Sequence, residues 1–193
     1  KINNENNNYF IEGRAVLSAL LQNSENLIGH SWGIEAGKQR GAFAFGLEYY
    51  EESDTYNPND LGFLMANNSR VTELNFAYRN FKPSFLNLNK FIVNSALSYE
   101  RLYAPNLYGG TFWEMRTIMV NKSFNAGGFS IDGSLTESND YFEPRVWGEK
   151  FIRPIWTSTR AWFSSNYQKK VAADAGIGYV AVQRDNWWEW NYN

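Results

Sequence analysis

The sequence predicts an all-β protein, an antiparallel transmembrane β-barrel, on three observations. Side chains alternate between apolar and polar along about nine or ten stretches of the chain. These stretches run about 10 to 13 residues, close to the roughly 9–11 a tilted strand needs to cross a bilayer; strands in globular proteins are most often about 5–6. Aromatic residues gather at their ends: Tyr9 and Phe10, Tyr49 and Tyr50, Tyr78 and Phe81, Tyr99 and Tyr103, Phe112 and Trp113, Tyr167, Tyr179, and Trp187, Trp188 and Trp190. Membrane barrels carry such girdles at both interfaces.

The elements follow in order. Tyr9 to Leu21 opens the series, with Ile11, Gly13, Ala15, Leu17 and Ala19 on one face and Glu12, Arg14, Val16 and Ser18 on the other, because successive strand side chains point to opposite faces. A polar turn at Gln22 to Asn26 leads to a second strand, Leu27 to Lys38, and a turn at Gln39 to Gly41 leads to a third, Ala42 to Glu52. Ser53 to Ser69 is a long loop, broken by Asn, Pro and Gly, with room for a helical turn at Leu61 to Ala66. Strands then fall at Val71 to Phe81, Leu88 to Tyr103, Thr111 to Phe124 and Phe129 to Glu137. Asn125-Ala126-Gly127-Gly128 reads as the turn before the last of these. A second long loop spans Ser138 to Pro154. Strands at Ile155 to Tyr167 and Val171 to Val182 follow, and a tenth begins at Asn186. Trp156 and Trp162 fall on the polar side of their strand, which leaves its facing open.

Bulk properties agree with a two-faced sheet. Apolar residues make up 44% and aromatics 18%, yet mean hydropathy is −0.50, because the polar face offsets the apolar one. No run reaches the roughly 18 apolar residues of a membrane helix. Net charge is −2, which gives no electrostatic case for nucleic acid. With Cys 0, disulfides and thiol-ligated metals are excluded. Lys1 to Asn8 is Asn-rich and lacks the apolar core of a secretory signal, so either a signal was removed or the chain begins inside a longer one.

A soluble β-sandwich alternates as well. What favours the barrel is charge in mid-strand on the polar face: Glu12, Arg14, Glu35, Glu48, Glu73, Arg79, Glu114, Arg116, Asp132, Arg160 and Asp174. These are the expected lumen-lining residues, with Glu12–Arg14 and Glu114–Arg116 as ion pairs within a strand. Gly33, Gly37, Ala44, Gly46, Ala96, Gly176 and Gly178 on that face either leave room for a plug or ease bending. Bacterial barrels have even strand numbers and lipid tolerates no open edge, so the chain is expected to be one segment, residues 1–193, of a larger barrel with long loops at 53–69 and 138–154.

Both loops carry recognisable words. Asn57-Pro58-Asn59-Asp60-Leu61-Gly62-Phe63-Leu64, followed by Asn67-Asn68, resembles a segment of a large Bacteroidota outer-membrane family of unknown function; Asp140-Tyr141-Phe142-Glu143-Pro144-Arg145-Val146-Trp147-Gly148, with Phe151 and Pro154, resembles a second segment. Usual members join an N-terminal family-nine carbohydrate-binding module to a long C-terminal barrel. The resemblance implies the barrel portion here; glycan contact would come through a module these residues lack. It supplies no catalytic residues.

Chemistry beyond this is sparse. His30 is the lone histidine, so a metal site lacks His partners, and nothing marks a Ser for a triad. Glu51, Glu52, Asp54 and Glu143 are the acids a glycosidase would need; they read better as solvated loop acids. Asp60 reads as a turn cap, and Glu143-Pro144-Arg145 as a loop tie made by Glu143 or Arg145. The expectation is a non-enzymatic protein of the bacterial outer membrane, a pore or a structural subunit of an assembly, with no cofactor. Its partners would be outer-membrane lipid and other outer-membrane proteins or lipoproteins. A glycan-binding or glycan-processing protein and a soluble β-sandwich binding module are the alternatives.

Overall fold

The structure is a computed structural model that describes residues 1–21, 26–57, 67–146, 148–183 and 188–189. Its strands are β1 (Ile2–Asn3), β2 (Tyr9–Leu21), β3 (Asn26–Lys38), β4 (Phe43–Glu52), β5 (Ser69–Asn80), β6 (Leu88–Arg101), β7 (Tyr108–Asn121), β8 (Ala126–Ser134), β9 (Ser138–Asp140), β10 (Phe151–Arg153), β11 (Trp156–Ser164), β12 (Asp174–Val182) and β13 (Trp188–Glu189). Eleven of them form one antiparallel sheet in the order β1-β2-β3-β4-β5-β6-β7-β8-β11-β12-β13, while β9 and β10 form a separate hairpin. No helix occurs among the described residues.

The sheet is a meander of neighbours, with an edge at β1 and another at β13; a closed barrel is not seen. The expected all-β antiparallel class stands; closure does not follow from the strands described. Pro58, Asn59, Asp60, Leu61 and Gly62 lie outside the described residues. So do the expected helical turn at Leu61 to Ala66, most of the polar turn after the first strand, Trp147, and the start of the tenth strand at Asn186.

Three local readings change. The Asn-rich start pairs Ile2 with Ile11 and Asn3 with Phe10, and Asn4 Oδ1 accepts the Asn8 N–H at 2.7 Å, so asparagine side chains build the turn into β2. The long loop at 138–154 contains the β9–β10 hairpin, in which Ser138 pairs with Arg153. The glycine turn expected at 125–128 is not a turn: β8 already starts at Ala126. Asn121 makes the turn instead, its Oδ1 accepting the N–H groups of Ser123 at 2.9 Å and Asn125 at 3.0 Å. Gly128 is needed inside the strand because a Cβ there would overlap the Thr117 carbonyl.

Register assigns every strand residue a face. Following the pairs from β2 to β12, Ile11, Ala36, Leu47, Leu74, Leu97 and Trp113 share one face, continued by Phe129, Ala161 and Ile177. The opposite face carries Glu12, Glu35, Glu48 and Glu73 in direct succession. Trp156 and Trp162 lie on this polar face, opposite Val182 and Gly176.

No described part of the chain covers the apolar face. Leu17, Leu21, Ile28, Phe43, Phe45, Leu47, Phe76 and Ile177 are all more than 45% exposed. Among the described residues only Tyr56, Leu88 and Leu102 are buried apolar residues, and no large side chain is fully enclosed. The chain exposes 13681 Å², where a compact monomer of its mass exposes about 9,400 Å². Half-covered side chains of this kind each forgo on the order of 1 kcal/mol. These eight alone forgo roughly 8 kcal/mol, comparable with the whole net stability of an ordinary domain, about 5–15 kcal/mol.

Backbone pairing, not a core, therefore carries the cohesion, and side chains patch it where it opens. No pair is formed between Thr117 and Phe129 in the β7–β8 ladder. There the Thr117 hydroxyl accepts the Phe129 N–H at 2.9 Å and donates to the Phe129 carbonyl at 3.1 Å. Thr117 is only 5% exposed. Thr117→Val should lower stability by about 1–3 kcal/mol, since it strands a shielded N–H, while Thr117→Ser should stay near wild type; denaturant unfolding of both checks this.

Candidate functional site

The polar face is the one surface where chemistry concentrates. All eleven charged candidates lie on it: Glu12, Arg14, Glu35, Glu48, Glu73, Arg79, Glu114, Arg116, Asp132, Arg160 and Asp174. Seven are acids and four are bases. Glu12 opposes Glu35, Glu35 opposes Glu48, and Glu48 opposes Glu73, one acid per strand across four strands. Glu114 opposes Asp132 one row over. Like charges directly opposite cost energy on a sheet, so this row is tolerated only with water or counter-charges at hand.

Counter-charges are partly supplied, though not always as the spacing suggests. Glu114 and Arg116 do pair within their strand, at 3.0 Å. Glu12 and Arg14 do not: Lys1 reaches Glu12 at 3.4 Å, and Arg14 reaches Glu48, two strands away, at 3.5 Å. The reason is Gly33, which opposes Arg14 and has no side chain. The guanidinium crosses over it and lies 5.2 Å from the Tyr50 ring. Glu73 accepts from Asn75 Nδ2 at 2.7 Å.

The small residues hollow this face. Ala44, Gly46, Ala77 and Ala96 floor a depression of about 370 Å³ rimmed by Lys1, Glu35, Arg79 and Glu114. A neighbouring hollow of about 430 Å³ lies among Glu73, Glu114, Asp132 and Trp156. Both are open and charged, with no residue poised against another as nucleophile and base.

The long connections join strands at one end of the sheet, and two described parts of them, 53–57 and the β9–β10 hairpin, fold over this same face. Segments 53–68, 102–107, 135–155 and 183–187 join strands at that end, and 39–42, 81–87, 122–125 and 165–173 at the other. Residues 22–25 join β2 to β3 at the long-loop end. Ahead of the first loop word, the Tyr56 backbone occupies the space a Cβ on Gly29 would need, and the Asn57 N–H donates to Ser18 Oγ at 3.0 Å. Asn68 bridges two loops, its Nδ2 donating to the Ala104 carbonyl and its Oδ1 accepting the Ala104 N–H, both at 2.8 Å. Asn68 takes a φ of 65°, a left-handed conformation that Asn tolerates better than most residues.

The β9–β10 hairpin is the second inward fold. A Cβ on Gly110 would lie 3.0 Å from Ser138 Cβ, and Gly110 belongs to the polar face through its pairing with Glu100. Asn139 Nδ2 and the Tyr141 hydroxyl both donate to the Tyr108 carbonyl, at 3.0 and 2.9 Å. Between this hairpin, a strap across the face, and the sheet lies a cavity of about 260 Å³, lined by Val71, Glu100 and Phe112 below and Asp140, Phe142 and Arg153 above. The tie expected from Glu143 or Arg145 is made by other residues. Asp140 Oδ2 meets Arg153 Nη2 at 2.6 Å, and Asp140 Oδ1 accepts the N–H groups of Phe142 and Glu143. Glu143 contributes backbone alone to this turn; Arg145 turns it at φ 55°, and Pro144 sits between them. Spacing did not flag Gly29, Gly110, Asp140 or Arg153, because each acts on a partner far away in sequence.

Glu51 and Glu52 are not solvated loop acids. Both are 7% exposed, and as neighbours on a strand they lie on opposite faces, which removes them as a catalytic pair. Tyr50 donates to Glu52 on the polar side. Glu51 turns to the apolar side, where it accepts from Tyr49 at 2.7 Å, Arg70 Nε at 2.6 Å and Trp32 Nε1 at 3.1 Å, with His30 Nε2 at 3.3 Å. His30 also packs edge-on against Tyr103, ring centres 5.3 Å apart. No group of three His, Cys, Asp or Glu that could hold a metal occurs among the described residues.

The family described as a domain of unknown function, DUF5916, matches residues 1–193, and the chain belongs to it. No curated protein and no solved structure matches the chain.

Asp140 carries a pH prediction. Burial works to raise its carboxyl, but the Glu143 and Phe142 N–H groups and Arg153 outweigh it and hold the pKa below the ordinary 3.8. A depressed acid stabilises above its unfolded pKa and loses that contribution as pH falls through the folded one. Strap amides should therefore keep hydrogen-exchange protection at neutral pH and lose it in acid below about pH 4, whereas Asp140→Asn should be poorly protected at both.

Proposed function

We propose that this member of a family of unknown function forms the wall of a transmembrane β-barrel in the bacterial outer membrane, Bacteroidota being the group its loop words suggest. In this reading the apolar face meets acyl chains and the charged face lines a watery interior. The role is non-enzymatic: a pore, or a structural subunit of an outer-membrane assembly with proteins or lipoproteins as neighbours.

One observation carries the reading: the distribution of charge on the uncovered apolar face. Among the described strand residues on that face, the acids and bases are Lys38 at the short-turn end and Glu51, Arg70 and Arg101 at the long-loop end. Between these levels the face holds apolar, aromatic, Gly, Ser and Thr side chains, with His30 at the Glu51 rim. Along β5 itself, the face runs from Arg70 to Asn80 with no charge between them. Ten residues at about 3.3 Å each give about 33 Å along the strand, or about 25 Å of height at a tilt near 40°, which is the apolar belt of an outer-membrane barrel. A solvent-facing sheet has no reason to exclude charge over that height. A sandwich would need a second layer on this face, and the β9–β10 hairpin lies on the other.

Lipid tolerates no unpaired sheet edge, so insertion requires β1 and β13 to be paired, by further strands or a neighbouring chain. The long loops would face outward from the cell. The strap and the 53–57 segment would narrow that mouth, and the excess of acids on the wall would favour cations.

Nitroxides at Phe45, Phe76 and Leu97 should be accessible to oxygen in lipid vesicles and those at Glu48, Asn75 and Ala96 to a water-soluble nickel chelate; the reverse pattern, or no difference, removes the barrel. Leu47→Arg should cost about 2–4 kcal/mol in bilayers, the range for mid-membrane arginine, and Ser98→Arg much less. In planar bilayers, replacing residues 138–153 by a short Gly/Ser linker should raise single-channel conductance; an ion-tight wild type and variant would leave only the structural role.

A further inference from the structure

We infer that the long-loop rim of the apolar face holds the phosphate of an anionic lipid against Arg101, beside Arg70; this rests on the membrane-wall reading. Arg70 and Arg101 are direct cross-strand partners and share the face of Leu74 and Leu97. Two guanidinium groups so placed repel. Only one is neutralised. Arg70 Nε donates to Glu51 at 2.6 Å. Glu51 is already saturated by Tyr49, Trp32 and His30, so it has no oxygen to spare for a second guanidinium. Among the described strand residues no other Asp or Glu lies on that face.

Arg101 is left with neutral company. Its Nη1 donates to the Tyr99 hydroxyl at 3.1 Å and its Nη2 to the Asn106 carbonyl at 2.7 Å. Its Nε is shielded and has no hydrogen-bond partner among the described residues. A cation at the edge of an apolar belt, with no acid beside it and a second N–H on each Nη, is complementary to a phosphate oxygen, and the arginine fork suits that geometry. Aromatic rings frame the place: Arg70 lies 4.8 Å from the Tyr103 ring centre and Arg101 6.0 Å from that of Tyr99. Such rings sit at headgroup depth in membranes. The opposite rim has Lys38 alone among the described strand residues of that face.

Native mass spectrometry of the full chain in detergent, incubated with diphosphoryl lipid A or with phosphatidylcholine, tests the site. Wild type should retain lipid A. Arg101→Gln should retain at least roughly tenfold less, the loss expected for one charge-assisted hydrogen bond. Arg101→Lys should fall between, and Lys38→Gln should match wild type. Equal retention by wild type and Arg101→Gln, no retention by wild type, or equal retention of phosphatidylcholine overturns the inference. Displacement of lipid A by inorganic phosphate alone overturns it too, by making the site one for a free anion. The Phe76 nitroxide separates the failures: lipid-exposed Phe76 with no Arg101 effect sinks this site only, and Phe76 in water sinks the wall reading with it. Should Arg101→Gln not fold, Arg101→Lys supplies the same comparison.

Discussion

The fold depends on a sheet whose apolar face no described part of the chain covers. In most domains the hydrophobic effect closes two layers on each other, and hydrogen bonds follow. Here the strands are paired along 9 to 14 residues through most of the sheet, yet Phe45, Leu47 and Phe76 stay about half exposed. Ladder hydrogen bonds hold the sheet together. What completes its energetics has to come from outside the described residues, against a face whose middle carries no charge.

The polar face answers a different constraint. A row of four glutamates in direct register would be untenable in a dry interior, where an unpaired carboxylate is expensive. With Lys1 on Glu12 and Arg14 reaching Glu48 across Gly33, the row is compensated in part, and water must do the rest. The loop segments that descend onto this face do so where a wall glycine admits them: Gly29 under Tyr56 and Gly110 under Ser138. Small residues thus serve approach as well as bending, at particular rows.

The two ends of the sheet are unlike. At the short-turn end, asparagines such as Asn121 and Asn4 build compact turns from their own side chains. At the other end, Asn68, Asp140 and Arg153 tie loops to loops, and Glu51 gathers four side chains on the outward rim. The ordered polar structure is thus concentrated where the loops are long.

Strand identity and facing were legible in the sequence because a period of two is a local property. Ile11 to Ala19 declares its two faces without reference to any neighbour, and the eleven charged candidates segregate to one side for that reason. Register, and with it the identity of ion pairs, was not legible: whether Arg14 meets Glu12 or Glu48 depends on Gly33 in the adjacent strand. The loop ties were hidden for the same cause, since Asp140 finds Arg153 only once the hairpin has formed. Alternation alone determined that there is an apolar face. Only the tertiary structure decided that nothing in the described chain packs against it, because cover is a property of how layers stack and not of any one strand.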